Sequence, residues 1–194
     1  MNRFVFLVLC LVALVSVSHA QMTFYLVDNF ETGAVSDKWY VFDNASAVIE
    51  KNPAALKTDS VSEAAGDRSL HLTGSSSNWY VGGMGSIFDV NGAAYSRMNI
   101  DVFGSKSYGK VKVELFEKKS VAGTEEVKWV AELPVLGPGF TRLSIPFSAF
   151  ASESKPPVFH GDKGGNISKI QLIFVASEQK GSIDYYVDNI MFTF

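Results

Sequence analysis

"GSIDYYVDNIMFTF", residues 181–194, is the stretch on which the reading of the fold turns. Aromatic and β-branched residues dominate it, which is the composition of a strand. Side chains alternate across a strand, so Tyr186, Asp188, Ile190, Phe192 and Phe194 fall on one face. The large apolar groups among them predict that this face is buried, and Asp188 with it. A buried, unpaired carboxylate costs several kcal/mol. It requires a cation, a salt bridge or several hydrogen-bond donors. Near the other end, "FYLVDNFETG" (residues 24–33) is again an apolar run interrupted by Asp-Asn. Turn formation is one reading of both tags, because Asp and Asn favour turns. An ion site shared by the two segments is the other.

Outward from these ends, alternation dominates the chain. "SLHLTG" (69–74), "SRMNIDVFG" (96–104), "KVKVELFEK" (110–118), "KWVAEL" (128–133), "FTRLSIPF" (140–147) and "KIQLIFVA" (169–176) each read as a strand. Gly-, Ser- and Asp-rich turns separate them. Short strands at this spacing predict an all-β chain folded as a β-sandwich jelly roll. "NASAVIEKNPAALK" (44–57) has room for a helical turn, which Pro53 keeps short. With no linker or repeat, residues 21–194 read as a single domain.

The first twenty residues read as a secretion signal. Arg3 supplies the positive start, "FVFLVLCLVALV" (4–15) the apolar core, and Ser18 and Ala20 the small residues before cleavage. The run is short for a bilayer span, so membrane insertion is not expected. The expected location is extracellular or periplasmic. The single cysteine, Cys10, lies inside this leader, so the mature chain is expected to carry neither disulfide nor thiolate metal site. The formal charge of −3, without a basic run, argues against nucleic acid. About 174 residues remain, enough for one sizeable core.

The order "VDNFETG", "GDRSLHLTG", "NWYVGG", "YSRMNIDVFG", "VKVELFE", "FTRLSIPFSAF", "KIQLIFVA" and "GSIDYYVDNI" resembles the galactose-binding-like jelly roll of carbohydrate-binding modules, families 11, 4 and 22 above all. The resemblance implies a structural calcium ion joining the first strand to the last. Its implied ligands are the Asn29 carbonyl, the Glu31 carboxylate, a carbonyl at Asp67 or Arg68, and the Asp188 carboxylate. Calcium favours such an all-oxygen shell. His71 and His160 are too few and too far apart in sequence for a zinc or copper site. His71, between Leu70 and Leu72, reads as exposed on its strand. One departure from the family pattern is Phe140 of "GFTRLSIPF", where these modules usually carry Trp.

Sugars offer apolar C–H faces and hydroxyls, so the residues to seek are exposed aromatics beside hydrogen-bonding side chains. "SSSNWYVGG" (75–83) supplies Trp79 and Tyr80, one of which is expected to fill the core. "DKWYVFD" (37–43) supplies Trp39 and Tyr40, and Trp39 also suits a structural role. Alternation sets Lys112, Glu114 and Phe116 on one face of their strand, and Lys169, Gln171 and Ile173 on one face of theirs. Glu114 and Gln171 are therefore candidates for hydroxyl contacts, with Tyr108 and Trp129 as weaker aromatic options.

These features predict a secreted, non-catalytic glycan-binding protein. The alternative is a structural subunit of an extracellular filament, flagellar sheath or surface layer, with self-assembly or surface proteins as partners. A hydrolase or lyase would need paired carboxylates across a cleft. Glu114 with Glu132 or Asp101 is the pair on offer, and no motif selects it. The sequons at Asn44 and Asn166 are read as chance occurrences.

Overall fold

In a computed structural model of the chain, residues 24–52, 66–105, 108–118, 125–136, 139–152 and 166–194 are described. The leader, His160 and the end of the stretch expected to hold a helical turn lie outside them. The strands are β1 (Tyr25–Asp28), β2 (Trp39–Asp43), β3 (Ala45–Lys51), β4 (Arg68–Ser75), β5 (Tyr80–Asn91), β6 (Arg97–Gly104), β7 (Lys110–Lys118), β8 (Glu126–Pro134), β9 (Thr141–Pro146), β10 (Ala151–Ser152), β11 (Asn166–Val175) and β12 (Ser182–Thr193). They form two antiparallel sheets. The first runs β3-β4-β12-β6-β9, with β1 also paired to β12, and the second runs β10-β8-β7-β11-β5-β2. The chain is an all-β jelly-roll sandwich, as the alternation predicted.

One segment departs from the sequence reading, and a second is a strand that alternation does not mark. Ala45–Lys51 is a strand, paired in register with β4 from Ala45↔Gly74 to Lys51↔Arg68, rather than part of a helical turn. Its edge position and the tight turn at Asp43 (φ 59°) explain why local propensity did not reveal it. The glycine-rich run 80–91 is a long central strand. Glycine weakens a strand unless another group needs the space. Here it does, as the outer face of the second sheet makes clear.

The core lies between the sheets. Leu70, Leu72, Ile100, Val102, Ile145, Tyr185 and Val187 face inward from the first sheet, and Met84, Val111, Val113, Leu115, Leu172 and Phe174 from the second. Phe192 is fully buried among four rings: Tyr25, Phe88, Tyr95 and Phe147, at centroid distances of 6.0 to 6.3 Å. Burial of this aromatic cluster, with no disulfide, stabilises the sandwich.

The face assigned to β12 needs correction. The strand pairs Tyr186↔Phe103, Val187↔Val102 and Asp188↔Asp101, and then jumps to Met191↔Asn99. One extra residue forms a bulge there, with Asn189 at φ 47°. A single-residue slip reverses which side chains face the core. Tyr186 and Asp188 therefore point to the outer side, while Ile190 and Phe192 join the core. Asp188 is nonetheless buried, at 2% exposure.

Replacing Phe192 by Ala is expected to cost about 3–5 kcal/mol, the range for deleting a buried aromatic. Urea unfolding would show a lower midpoint at unchanged slope.

Candidate functional site

The outer face of the second sheet gathers most of the polar and aromatic candidates. Three rows of residues cross it. Tyr40, Gly85, Gln171, Glu114 and Val130 pair successively across β2, β5, β11, β7 and β8. Phe42, Gly83, Ile173, Lys112 and Glu132 form the second row in the same way. Ile87, Lys169, Phe116 and Lys128 form the third. Five strands at their usual spacing make a surface roughly 19 Å across.

The glycines of β5 shape that surface. A Cβ on Gly85 would meet the Tyr40 hydroxyl at 2.4 Å, and one on Gly83 would meet the Phe42 ring at 2.6 Å. The two rings therefore lie down over the backbone of β5 instead of standing off the sheet edge. Gln171 Nε2 donates a hydrogen bond to the Tyr40 hydroxyl at 2.8 Å, which fixes that ring. Ile87 beside them is 69% exposed, an apolar group left to water in the middle of a strand.

Glu114 and Gln171 are direct neighbours on β7 and β11, a pairing that the register of the two strands supplies. Glu114 lies deep, with Lys112 Nζ at 3.1 Å and Lys128 Nζ at 3.3 Å from the same carboxylate oxygen. Lys169 Nζ sits 3.8 Å above the Phe116 ring and 3.1 Å from Glu126. Burial alone would raise the Glu126 carboxyl. Hydrogen bonds from Ser168 and Lys169 outweigh it and hold the group below its ordinary range.

Both aromatics of the "NWYVGG" stretch are exposed, so neither fills the core as expected. Trp79 is 51% exposed just beyond the start of β5, its carbonyl accepting from Ala176 N–H at 2.8 Å. Asn78 Oδ1 accepts from the Tyr80 N–H at 2.8 Å and stiffens the turn. Tyr80 donates its hydroxyl proton to Asp43. Its phenol is pushed up to about 12 by partial burial first, then by Asp43 and the charge of Glu114. Trp39, one of the five glycan candidates, does not reach this face. It is buried against Phe30, and its Nε1 donates to Asp28 Oδ2 at 2.7 Å. Trp129 is likewise buried, donating to Glu117. Tyr108 remains exposed. Tyr40, next to Trp39 in the chain, is the one that reaches the outer face.

The first sheet holds the residues implied for calcium. Glu31 Oε1 accepts from the Arg68 backbone N–H at 3.0 Å, tying the β1 turn to the start of β4. A Cβ on Gly66 would sit 1.9 Å from that same oxygen, so a larger residue there would displace the Glu31 carboxylate. The Asp67 carbonyl accepts from Asn52 N–H at 2.8 Å. Asp188 accepts from the Asn189 N–H at 2.7 Å, and among the described residues no lysine or arginine pairs with it. Burial pushes its carboxyl up to about 8, assisted by the charges of Asp101 and Glu31 and opposed by Asn189 and Arg142. No cluster of three or more His, Cys, Asp or Glu side chains suited to a metal is found among the described residues.

Asp28, by contrast, performs turn chemistry. Its Oδ1 accepts from Phe30 N–H at 2.9 Å, Phe30 has φ 56°, and Lys38 pairs with the carboxylate at 3.0 Å. Turn formation thus explains half of the opening Asp-Asn tag. Asp101 forms a bidentate pair with Arg142 at 2.7 and 2.5 Å on the outer side of the first sheet. It faces away from Glu114 across the whole sandwich, so those two carboxylates do not flank one cleft. His71 is not the free surface group expected. It stacks on Tyr186 at 4.3 Å, with Glu50 2.8 Å from Nδ1 and Asp184 2.9 Å from Nε2.

In metal-free buffer the raised Asp188 carboxyl sets a pH dependence with a definite sign. Its contribution is present in full below the unfolded value of 3.8 and is lost as the pH rises through about 8. Thermal midpoints of chelated protein are expected to fall between about pH 5 and about pH 8, and Asp188→Asn to flatten that slope. A separate expectation concerns Gly85→Ala. The added methyl would lift the Tyr40 ring and break its bond to Gln171, read as increased solvent accessibility of Tyr40 with the fold retained.

No family model matches the sequence, and no curated protein matches it. Solved structures do. The family 11 carbohydrate-binding module from Clostridium thermocellum, in complex with a β-1,3-1,4-mixed-linked tetrasaccharide, superposes at a TM-score of 0.56 with 17% identity, covering 88% of this chain and 95% of that one. The CBM22-1 xylan-binding domain of Paenibacillus barcinonensis Xyn10C gives a TM-score of 0.53 and 12% identity, covering 89% and 94%. An exo-β-agarase gives a TM-score of 0.62 and 13% identity over 88% of this chain but 25% of its own. The chain has the jelly-roll fold of carbohydrate-binding modules.

Proposed function

We propose that the chain is a non-catalytic, secreted glycan-binding protein whose ligand lies across the outer face of the second sheet. The observation that carries this reading is the pair of rings, Tyr40 and Phe42, laid over Gly85 and Gly83 beside Gln171. Flat apolar rings next to an amide and charged groups match the two surfaces of a sugar, its C–H face and its hydroxyls. A surface several strands wide suits an extended chain of sugar rings better than one terminal residue. Tyr80, bonded to Asp43 at one end of this face, extends the aromatic surface, and the exposed Trp79 precedes it in the chain. The solved modules of the same fold, one holding a tetrasaccharide and one named for xylan, support the reading by analogy of fold.

A structural calcium ion is the second part of the proposal. Asp188 is a buried carboxylate without a cationic partner among the described residues, whereas its neighbour Asp101 already has Arg142. That charge imbalance fits a cation. Glu31 and Asp188 would supply carboxylate oxygens, with the Asn29 carbonyl and a carbonyl near Arg68 completing the protein share. The ion would bind β1, the β4 start and β12 together and offset the cost of ionising Asp188.

Titration of tryptophan fluorescence with a panel of soluble polysaccharides is expected to reveal binding by a monodisperse monomer. Tyr40→Ala or Phe42→Ala should weaken it about tenfold, equivalent to about 1.4 kcal/mol. Concentration-dependent assembly without glycan, together with no binding to the panel, would instead favour a filament or surface-layer subunit. Chelator is expected to lower the melting temperature and added calcium to restore it, with Asp188→Asn insensitive to both. An unchanged melting curve in excess chelator would remove the ion.

A further inference from the structure

Charge on the platform is unevenly distributed. Lys110 has Glu132 at 3.7 Å, Lys118 has Asp89 at 2.6 Å, and Lys169 has Glu126 at 3.1 Å. Each of these lysines thus has a carboxylate of its own. Lys112 and Lys128 do not, because both approach the single Oε1 of Glu114, at 3.1 and 3.3 Å. The Glu114 side chain is 5% exposed, whereas those of Lys112 and Lys128 are 26% and 36% exposed. The carboxylate is sunk beneath two ammonium groups that reach solvent. One buried acid is neutralised by one lysine, so the second leaves a net positive charge in the middle of the face. Its neighbours in the rows are Gln171, Ile173, Phe116, Val130 and Glu132, and the one acid among them, Glu132, is already paired with Lys110 at 3.7 Å.

Asp43, at the β2 end of the face, accepts the Tyr80 hydroxyl. It lies across β5 and β11 from the lysine pair, too far to cancel its field at close range. An ammonium group keeps three donors, and each of these two uses one on Glu114. The remaining donors point at whatever lies on the sheet. A neutral sugar chain would leave that charge without a counter-ion once bound and dehydrated, which costs binding energy. An anionic substituent would convert the same feature into a charge-assisted contact.

Resting on the glycan-binding reading of this face, we infer that its ligand is an anionic polysaccharide, with a uronate carboxylate or a sulfate ester held between Lys112 and Lys128. Tyr40 and Phe42 supply the stacking surface for the sugar rings, and the lysine pair selects the charged residue among them.

The test is calorimetric titration of the full chain with polygalacturonate, a sulfated galactan and a neutral β-glucan, each at low and high salt. Anionic chains are expected to bind about tenfold tighter than the neutral one at low salt, with the advantage shrinking as salt screens the contact. Which of the two anionic chains binds better identifies carboxylate or sulfate. Lys128→Gln keeps the Lys112–Glu114 pair and removes the surplus charge, so it should abolish the preference for anionic chains. Lys128→Arg should retain the preference. Glu114→Gln, which doubles the surplus, should strengthen it. Equal or tighter binding of the neutral glucan would overturn the anionic assignment and leave the glycan reading intact. A preference for anions that survives both Lys128→Gln and Lys112→Gln would overturn the assignment to this lysine pair. Binding to none of the three would overturn this inference, and failure of the wider panel as well would remove the reading beneath it.

Discussion

β12 is the strand on which the sandwich hangs, and a bulge in it is the constraint the rest obeys. It pairs with β4 and β1 along one edge and β6 along the other, so its backbone is committed for nearly its whole length. An extra residue near Asn189 lets two successive stretches of the strand satisfy different demands. Before the bulge, Tyr185 and Val187 enter the core and Tyr186 stacks outside with His71 and Phe103. After it, Ile190 and Phe192 enter the core with opposite parity. The residues at the slip, Asp188 and Asn189, are buried polar groups that meet Asp101, Arg142 and Glu31. A regular strand would have driven Ile190 and Phe192 out of the aromatic cluster.

The two outer faces of the sandwich consequently differ in character. That of the first sheet is spent on internal bonding: the Asp101–Arg142 pair, His71 between two carboxylates, and the Glu31 carboxylate against the β4 backbone. The second sheet leaves its outer face available. Glycines at 83 and 85 remove side chains from the centre of β5, and rings from the neighbouring edge strand occupy the space without closing it. Rigid strands carry these groups, which limits the ordering cost of binding. A surface of laid-down rings and shared ion pairs is suited to holding a ligand.

Much of this was legible in the residues. Period-two alternation marked seven of the strands and turned Glu114 and Gln171 to the outward faces of theirs, because both strands are long and one-sided. It failed where a strand slips or sits at an edge. The parity of Asp188 against Phe192 depends on one inserted residue that no hydropathy pattern reports. Trp39 and Tyr40 are both aromatic neighbours in a short strand, and only contact with Phe30 and Asp28 decides that Trp39 turns inward. The glycines of β5 show no purpose in the sequence because their partners, Tyr40 and Phe42, are some forty positions away. The shared carboxylate under Lys112 and Lys128 depends on β7–β8 register, which periodicity alone does not supply.

By itself, the sequence determined the class of fold, since alternating apolar residues with frequent turns bury one face of a sheet and no helix can do so with that period. It also determined that the chain ends carry acids within apolar strands, because composition is local. Tertiary structure alone decided which of those acids is a turn cap, which is buried without a cation, and which face of the sandwich remains open. Those outcomes depend on pairing between distant strands, where a one-residue slip or a missing Cβ redirects whole side chains. Burial and charge balance belong to the assembled sheets.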